Sequence, residues 1–186
     1  NVTIPYKTDA LAACDEVSPE AAKIGSVNTV INRAGRLYGY NTDYFGFSYM
    51  LDRAKIDVTG KKTLVLGTGG TSLTARHVLA DRKAAEVLIV SRTGTLNYQN
   101  VYDHTDAAII VNTTPVGMFP HNGESPIDLA KFPKLCGAVD VIYNPLRTAF
   151  ISQALSREIP AVSGLSMLVA QAVAAHEYFF DKPFAN

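Results

Sequence analysis

The chain of 186 residues is long enough for one large domain or two small ones, and 47% hydrophobic against 18% charged residues excludes a disordered protein. Basic and acidic residues both number 17, which argues against nucleic acid or a membrane surface as partner. Cys14 and Cys136 lie far apart, and the four histidines are scattered, so we expect no disulfide framework, no metal site and a cytoplasmic protein.

The chain opens with "NVTIPYK", Asn1 to Lys7. The alternating run Val2-Thr3-Ile4 predicts a short strand that stops at Pro5 and presents a lysine two residues later. Further along, Ser18-Pro19-Glu20 predicts the start of a helix, with Ser18 as its cap and proline at the first helical position.

Two strands and a longer helix are predicted next. The runs "SVNTVI" and "LYGY" predict a β-hairpin joined across Arg33-Ala34-Gly35. Asn41-Thr42-Asp43 offers capping side chains to a following helix. That helix carries apolar and aromatic residues at helical spacing, namely Tyr44, Phe47, Met50 and Leu51.

From Lys61 the pattern changes to that of an α/β protein. The apolar run "TLVLG" is typical of a strand buried on both faces of a parallel sheet, and a helical stretch follows to about Asp81. The further strands "EVLIVS", "AAIIVN" and "GAVDVIY" alternate with helices, which predicts βαβ units in a Rossmann-like, doubly wound parallel sheet.

The last segment, from Leu165 to Phe180, predicts an amphipathic helix that returns to cover the first region of the chain. Its predicted buried face consists of Leu165, Leu168, Val169, Ala172, Val173 and His176.

The stretch "LVLGTGGTS" places glycines between a buried strand and a helix. Glycines there allow a tight turn and let backbone N–H groups approach a pyrophosphate at the helix N-terminus. Ser72, which is small enough for helix–strand packing, replaces the third glycine of the dinucleotide fingerprint. The context favours dinucleotide binding over a plain strand–helix turn. The residues concerned are Gly67, Thr68, Gly69, Gly70 and Thr71.

The next strand ends in Ser91, Arg92 and Thr93, where NAD-binding proteins usually keep an acidic residue for the ribose hydroxyls. An arginine fork can pair with a 2′-phosphate and the hydroxyls can donate to it, so the sequence favours NADP over NAD. The alternative is that Arg92 is a solvated cation at a strand end.

Three polar residues precede the nucleotide-binding unit: Lys7, Asn28 in "SVNT" and Asp43 in "GYNTD". Singly, a lysine is usually a surface charge and an Asn-Thr-Asp triplet a helix cap. Together, ahead of a nucleotide-binding unit, they indicate substrate-binding groups.

Seven ordered motifs then resemble those of the shikimate dehydrogenase family over nearly the whole chain. They are "NVTIPYK", "IGSVNTV", "GYNTDYFG", "GTGGTS", "VNTTPVGM", "DVIYNPLRT" and "SGLSMLVAQA". The resemblance implies an NADP-dependent oxidoreductase that reduces 3-dehydroshikimate to shikimate in aromatic amino acid biosynthesis. It implies a substrate domain over residues 1–48 and 164–186, and an NADP domain over 49–163. The oligomeric state stays open, a homodimer included.

The same resemblance implies roles for individual residues. Lys7 and Asp43 would form the catalytic pair, with Lys7 acting either as acid–base catalyst or as an electrostatic group. Positions that match substrate contacts are Thr3, Lys7, Asn28, Asp43, Tyr143 and Gln171. Gly67 to Thr71 would hold the pyrophosphate and Ser91 to Thr93 the adenosine phosphate. Val141 and Gly164 would line the nicotinamide end.

The sequence departs from the family pattern in two ways. Family members carry a further segment before "NVTIPYK", with a Ser-x-Ser motif for the substrate carboxylate, so we expect that a chain beginning at Asn1 would lack part of the substrate domain. Gly94, Thr95 and Leu96 follow the Ser91-Arg92-Thr93 stretch, at positions where a second basic residue is common in the family. Two alternatives therefore stay open: a relative acting also on quinate with NAD, and a non-catalytic metabolite-binding relative.

Overall fold

The computed structural model describes residues 1–3 and 5–183, which form two β-sheets and six α-helices. The strands are β1 (Glu16–Val17), β2 (Thr29–Arg33), β3 (Arg36–Tyr40), β4 (Lys62–Leu66), β5 (Glu86–Val90), β6 (Ile109–Asn112), β7 (Gly137–Asp140) and β8 (Ala161–Val162). The helices are α1 (Lys7–Ala12), α2 (Pro19–Ile24), α3 (Thr42–Arg53), α4 (Gly70–Asp81), α5 (Ala149–Leu155) and α6 (Leu165–Phe180).

The smaller sheet has the strand order β1-β3-β2 and contains the predicted hairpin. Its turn is one residue shorter than predicted, because Arg33 still pairs with Arg36 in the antiparallel ladder. Ala34 and Gly35 both have positive φ, of 51° and 89°, as a two-residue hairpin turn with the correct twist requires.

Both predicted helix starts are confirmed by their caps. The Ser18 side chain accepts a hydrogen bond of 3.2 Å from the Ala21 N–H at the start of α2, and Asn41 accepts one of 3.2 Å from Tyr44 at the start of α3. These side chains satisfy N–H groups that have no partner within the helix. The cap at Asn41 fixes where α3 begins, and therefore where Asp43 lies.

The strand predicted at the opening is wrong for the residues described. Val2 and Thr3 are not in a strand, and Ile4 lies outside the described residues. Among the described residues, the Val2 N–H donates 2.7 Å to the Asn28 carbonyl and the Thr3 carbonyl accepts 3.0 Å from the Tyr6 N–H; the second bond closes a turn, and the two do not form a strand ladder. Lys7 is instead the first residue of α1.

The larger sheet is the doubly wound parallel sheet that the sequence predicts. Its strand order is β5-β4-β6-β7-β8, and every pair is parallel. Alternate strand residues point into two cores: Leu64 packs with α5 on one face, and Val65 packs with α3 and α4 on the other. Burial on both faces explains why these strands are continuously apolar.

Two of the expected helices between strands are absent from the described residues. Helix α4 joins β4 to β5 and α5 joins β7 to β8, but only 3₁₀ turns, at Val101–His104 and Leu129–Lys131, join β5 to β6 and β6 to β7. Val101, Leu129 and Phe132 from these connections are fully buried against the sheet. Their apolar side chains fill the space that a helix would otherwise cover.

Helix α6 packs on α3 as predicted, but the predicted buried face is wrong. The buried residues are Met167, Ala170, Ala174 and Ala175, whereas Leu165, Leu168 and Val169 are exposed. The buried face of α6 depends on Gly46 of α3, because a Cβ on Gly46 would lie 2.7 Å from the Met167 carbonyl oxygen. The two helices approach so closely that small residues, rather than large apolar ones, form the contact.

We expect Gly46→Ala to destabilise the protein although alanine favours helices, because the added methyl would push α6 away from α3. The free energy of unfolding, measured by urea denaturation, should fall by about 1–3 kcal/mol. Gly70→Ala is the matched control, since that helical glycine has open space where its Cβ would be. Equal stabilities of the two variants would contradict the close approach.

Candidate active site

A cavity of about 430 Å³ lies between the two sheets. It is bounded by the chain start, by α3 and α6, by the first turn of α4 and by the segment after β7. The residues that line it are Asn1, Val2, Thr3, Lys7, Asn28, Asp43, Thr71, Val141, Tyr143, Gly164, Met167, Leu168 and Gln171. All six predicted substrate-binding residues are among them.

An ion pair between Lys7 and Asp43 forms part of the cavity wall. The Lys7 ammonium donates to the Asp43 carboxylate from 36 residues away, and both side chains are largely buried, with 17% and 12% exposure. Asp43 lies in the first turn of α3, where the positive end of the helix dipole favours a carboxylate. The pair therefore places a proton donor and its counter-charge at one point of the cavity.

The amide of Asn28 is oriented by the same helix start. Its Oδ1 accepts a 2.8 Å bond from the Thr42 N–H and 3.2 Å bonds from the hydroxyls of Thr42 and Thr29. Because a backbone N–H can only donate, the Asn28 oxygen faces the helix. The amide N–H groups are thus left for a group in the cavity.

Gln171 completes this wall from α6. Its Nε2 donates 3.0 Å to the Leu168 carbonyl within the helix, and its Oε1 lies 3.4 Å from the Thr42 hydroxyl oxygen, whose one proton is shared between Gln171 and Asn28. A polar residue in an apolar helix is thereby supplied with partners, as a partly buried amide requires.

The opposite wall follows β7. Tyr143, half exposed, and Val141 lie in the segment between β7 and α5, and Gly164 begins α6 beside them. A Cβ on Gly164 would lie 2.0 Å from the Val141 carbonyl oxygen, so only glycine fits. The Gly164 N–H also donates 2.9 Å to the Ile142 carbonyl. The start of α6 is in this way fixed against the β7 segment.

The glycine turn lies at the carboxyl end of β4, beside the end of β6. Gly67 has φ of +105°, and a Cβ on it would lie 2.9 Å from the Thr113 hydroxyl, so the turn requires glycine there. Gly69 precedes α4 without a side-chain cap, and open space lies where Cβ atoms of Gly69 and Gly70 would be. Uncapped N–H groups and open space at a helix N-terminus fit a pyrophosphate.

Ser72 does more than the predicted packing. It is buried, and its hydroxyl donates 2.7 Å to the Gly67 carbonyl, which pins the turn from inside. Its position as the replacement for a fingerprint glycine was visible in the sequence, but the bond was not.

Ser91, Arg92 and Thr93 follow β5, which pairs with β4, so they lie at the same edge of the sheet as the glycine turn. Arg92 and Thr93 are exposed. The Ser91 hydroxyl accepts a 2.8 Å bond from the Gly94 N–H, which shapes the turn around the arginine. These three residues do not line the cavity with Lys7.

A buried network that the sequence analysis missed joins the ends of β6 and β7. Asp140 is fully buried and accepts from the Asn112 amide (3.1 Å), the Ile142 N–H (3.1 Å) and the Thr148 hydroxyl (2.7 Å). The strand-end position of Asp140 in "GAVDVIY" was the available signal, because a charged residue interrupts an otherwise apolar run.

The described residues contain no group of three or more histidine, cysteine or acidic side chains that could hold a metal ion. Within the same residues, no helix combines the length and apolar character needed to span a bilayer.

Sheet, turn and cavity together define a class of protein. A ligand-binding crevice in a doubly wound sheet lies where the strand order reverses, here between β4 and β6. The glycine turn lies at that point, and Thr71 from its helix shares a cavity with the Lys7–Asp43 pair. A dinucleotide site that opens onto a lysine–carboxylate pair is the arrangement of a dinucleotide-dependent oxidoreductase.

Comparisons with known proteins narrow this class. A family model described as the shikimate dehydrogenase substrate binding domain matches residues 1–30. Shikimate dehydrogenase (NADP(+)) of Clostridium perfringens strain SM101 is 38% identical over 190 residues, which cover 95% of this chain and 70% of that protein.

Solved structures similar to this chain come from the same family. The crystal structure of a chorismate mutase/shikimate 5-dehydrogenase fusion protein from Clostridium acetobutylicum has a TM-score of 0.94 at 36% identity, with 100% of this chain and 72% of that one covered. Shikimate 5-dehydrogenase from Thermus thermophilus, in complex with NADP(H) and shikimate, has a TM-score of 0.84 at 34% identity, with 100% and 74% covered. The chain belongs to the shikimate dehydrogenase family, and the resemblance stated from its motifs is confirmed.

We expect the buried Asp140 carboxyl to make stability depend on pH in the direction opposite to a salt-bridged aspartate. Burial raises its pKa from 3.8 to about 6, although the hydrogen bonds from Thr148, Ile142 and Asn112 act to lower it. The folded protein therefore keeps the Asp140 proton up to a higher pH than the unfolded chain does. The contribution of this proton to the free energy of unfolding is fully present below pH 3.8 and is lost as the pH rises to about 6.

Asp140→Asn, which cannot titrate, provides the reference for that measurement. The free energy of unfolding of the wild type relative to the variant should fall by about 3 kcal/mol between about pH 4 and about pH 6, and then stay level. Urea denaturation at a series of pH values measures this difference. A constant difference across the range would contradict burial of an ionising carboxyl.

Proposed function

We propose that the chain catalyses the reversible NADP-linked reduction of 3-dehydroshikimate to shikimate. The observation that carries the proposal is the shared cavity, which is lined both by the Lys7–Asp43 ion pair and by Thr71 in the first turn of the helix that follows the glycine turn. Membership of the family whose curated relatives are named shikimate dehydrogenase (NADP(+)) supports the substrate and the cofactor.

Lys7 and Asp43 carry the proton chemistry in this proposal. NADPH, when bound, supplies the hydride that reduces the ketone. Negative charge then develops on the ketone oxygen, and the Lys7 ammonium stabilises this charge and transfers a proton from Nζ to the oxygen. Asp43 keeps the lysine oriented before the reaction, and its own oxygen can accept a bond from a substrate hydroxyl.

The remaining polar groups of the cavity orient the substrate. Asn28 offers amide N–H groups, Gln171 an amide held at the α6 wall, and Thr3 and Tyr143 offer hydroxyls. A polyhydroxylated ring needs several donors and acceptors at fixed directions, and these side chains come from four separate segments of the chain. Such a set fixes one face of a ring against Lys7.

The residues at the glycine turn fit a dinucleotide with a 2′-phosphate. The uncapped start of α4, from Gly67 to Thr71, would hold the pyrophosphate, and Ser91 to Thr93 would hold the adenosine phosphate. Val141 and Gly164 line the same cavity as the Lys7–Asp43 pair, which favours the nicotinamide end for them.

We further propose that residues 1–48 and 164–186 form the substrate domain and residues 49–163 the NADP domain. Helix α3 crosses this boundary, and Arg82 of the NADP domain contacts both parts of the helix: it donates 3.1 Å to the Ser48 carbonyl, and 2.5 and 2.6 Å to the two oxygens of Asp52. A cytoplasmic location fits the two free cysteines, Cys14 and Cys136. The equal numbers of basic and acidic residues argue against a nucleic acid partner, and a homodimer is to be tested by sedimentation.

Lys7→Ala should abolish most turnover while leaving substrate affinity nearly intact, because the ammonium acts on charge that develops in the transition state. We expect kcat for shikimate oxidation with NADP+ to fall by about 10²–10⁴-fold with little change in KM. Absorbance of the reduced nicotinamide measures the rate.

Lys23→Ala serves as control, because Lys23 forms an exposed ion pair with Asp81 away from the cavity. A raised KM with normal kcat in Lys7→Ala would make the lysine a binding group only. A wild-type protein that turns over neither shikimate nor quinate, with either NADP+ or NAD+, would favour the non-catalytic relative.

Arg92→Ala should weaken NADP+ binding far more than NAD+ binding, because only NADP+ has a 2′-phosphate for the guanidinium to pair. The affinity ratio should change by about tenfold or more. Titration of both cofactors measures it, with Arg76→Ala, an exposed arginine of α4, as the control. Equal losses for the two cofactors would instead favour the relative that uses NAD with quinate.

A further inference from the structure

We propose that Asp140 is a positioning residue that aligns the substrate wall of the cavity with the cofactor turn. The inference rests on the proposed function. Asp140 does not line the cavity, so it would act through the groups that it holds. Its carboxylate lies at the carboxyl end of β7, in register with Asn112 at the end of β6.

One side of the network leads to the substrate wall. Oδ1 of Asp140 accepts from the Ile142 N–H, and the Ile142 carbonyl in turn accepts from Gly164, the residue that begins α6. Val141 lies between Asp140 and Ile142 in the chain, and its carbonyl oxygen is so close to Gly164 that a Cβ would not fit there. A shift at Asp140 would therefore move Val141, the adjoining Tyr143 and the start of the helix that carries Gln171.

The other side leads to the glycine turn. Asn112 donates to Asp140 through Nδ2, while its Oδ1 accepts from the Thr114 N–H (3.0 Å) and hydroxyl (2.7 Å). Thr114 lies close to the glycine turn, because a Cβ added to Gly67 would be 3.1 Å from the Thr114 methyl group. Asp140 thus connects the segment beneath the glycine turn with the segment that forms the opposite cavity wall.

The cost of this carboxylate argues that stability is not the reason for its presence. All three donors to Asp140 are neutral groups, and a fully buried carboxylate without a charged donor is expensive to ionise. An ionised carboxylate, however, accepts at both oxygens at once. Oδ1 takes two N–H groups and Oδ2 takes the Thr148 hydroxyl, an arrangement that no neutral side chain of this size can reproduce.

Asp140→Asn tests this arrangement directly. The introduced amide can still accept from Asn112 and Ile142, but its NH₂ then faces Thr148, whose oxygen already accepts 3.2 Å from the Ile151 N–H. The Thr148 hydroxyl proton loses its acceptor, and the segment from Val141 to Thr148 loses one anchor. The expected result is a fall in kcat/KM for shikimate of about tenfold or more.

A binding measurement separates positioning from general destabilisation. Adenosine 2′,5′-bisphosphate reaches the β5 end of the site but not the nicotinamide end, so its Kd should stay unchanged in the variant. The Kd for NADP+ should rise by about threefold or more, because Val141 and Gly164 shift. This comparison does not need turnover: a wild type that binds both nucleotides but does not oxidise shikimate would contradict the proposed function alone.

Thr148→Val and Thr148→Ser give a second test that does not replace the aspartate. Valine removes the bond to Oδ2 and should reproduce the kinetic loss, while serine keeps the hydroxyl and should restore wild-type kcat/KM. Ser18→Ala removes the equivalent cap from α2, remote from the network, and controls for the lost cap of α5. Wild-type kcat/KM in Asp140→Asn, or equal loss of affinity for both nucleotides, would overturn the proposal.

Discussion

The ion pair between Lys7 and Asp43 is the constraint on which the site depends. It joins the first residue of α1 to the first turn of α3, two helices that have no other reason to present charged groups to one cavity. Two largely buried charges are stable only with an opposite charge in contact, so the pair fixes the helix starts relative to each other. Asn41 then fixes α3 itself, because its cap sets the residue at which the helix begins.

The parallel sheet provides the second half of the site through the direction of its strands. Parallel strands bring all their carboxyl ends to one edge, along which the glycine turn, Arg92 and the segment after β7 all lie. Two of the turns at that edge are held by buried polar side chains. Ser72 pins the turn after β4 and Asp140 the turn after β7, each by bonds to the backbone of its own segment.

Much of the fold was predictable because its signals are local. The caps Ser18 and Asn41 satisfy N–H groups three residues away, and a continuous apolar strand reports burial on both faces wherever it lies. The wrong predictions depended on partners distant in the chain. Periodicity favoured Leu165 and Val169 as the buried face of α6, but close contact with Gly46 selected alanines instead. No property of α6 alone could reveal that glycine.

The sequence by itself determined the class of sheet, the glycine turn, the cofactor preference expected from Arg92 and, through ordered motifs, the family. These are properties of residue type and short-range order. Only the tertiary structure decided that Lys7 contacts Asp43, that the Asn28 oxygen faces a helix start, and that Asp140 links two strand ends. Each of these is a hydrogen bond or ion pair between separate segments of the chain, and its geometry exists only once those segments have packed together.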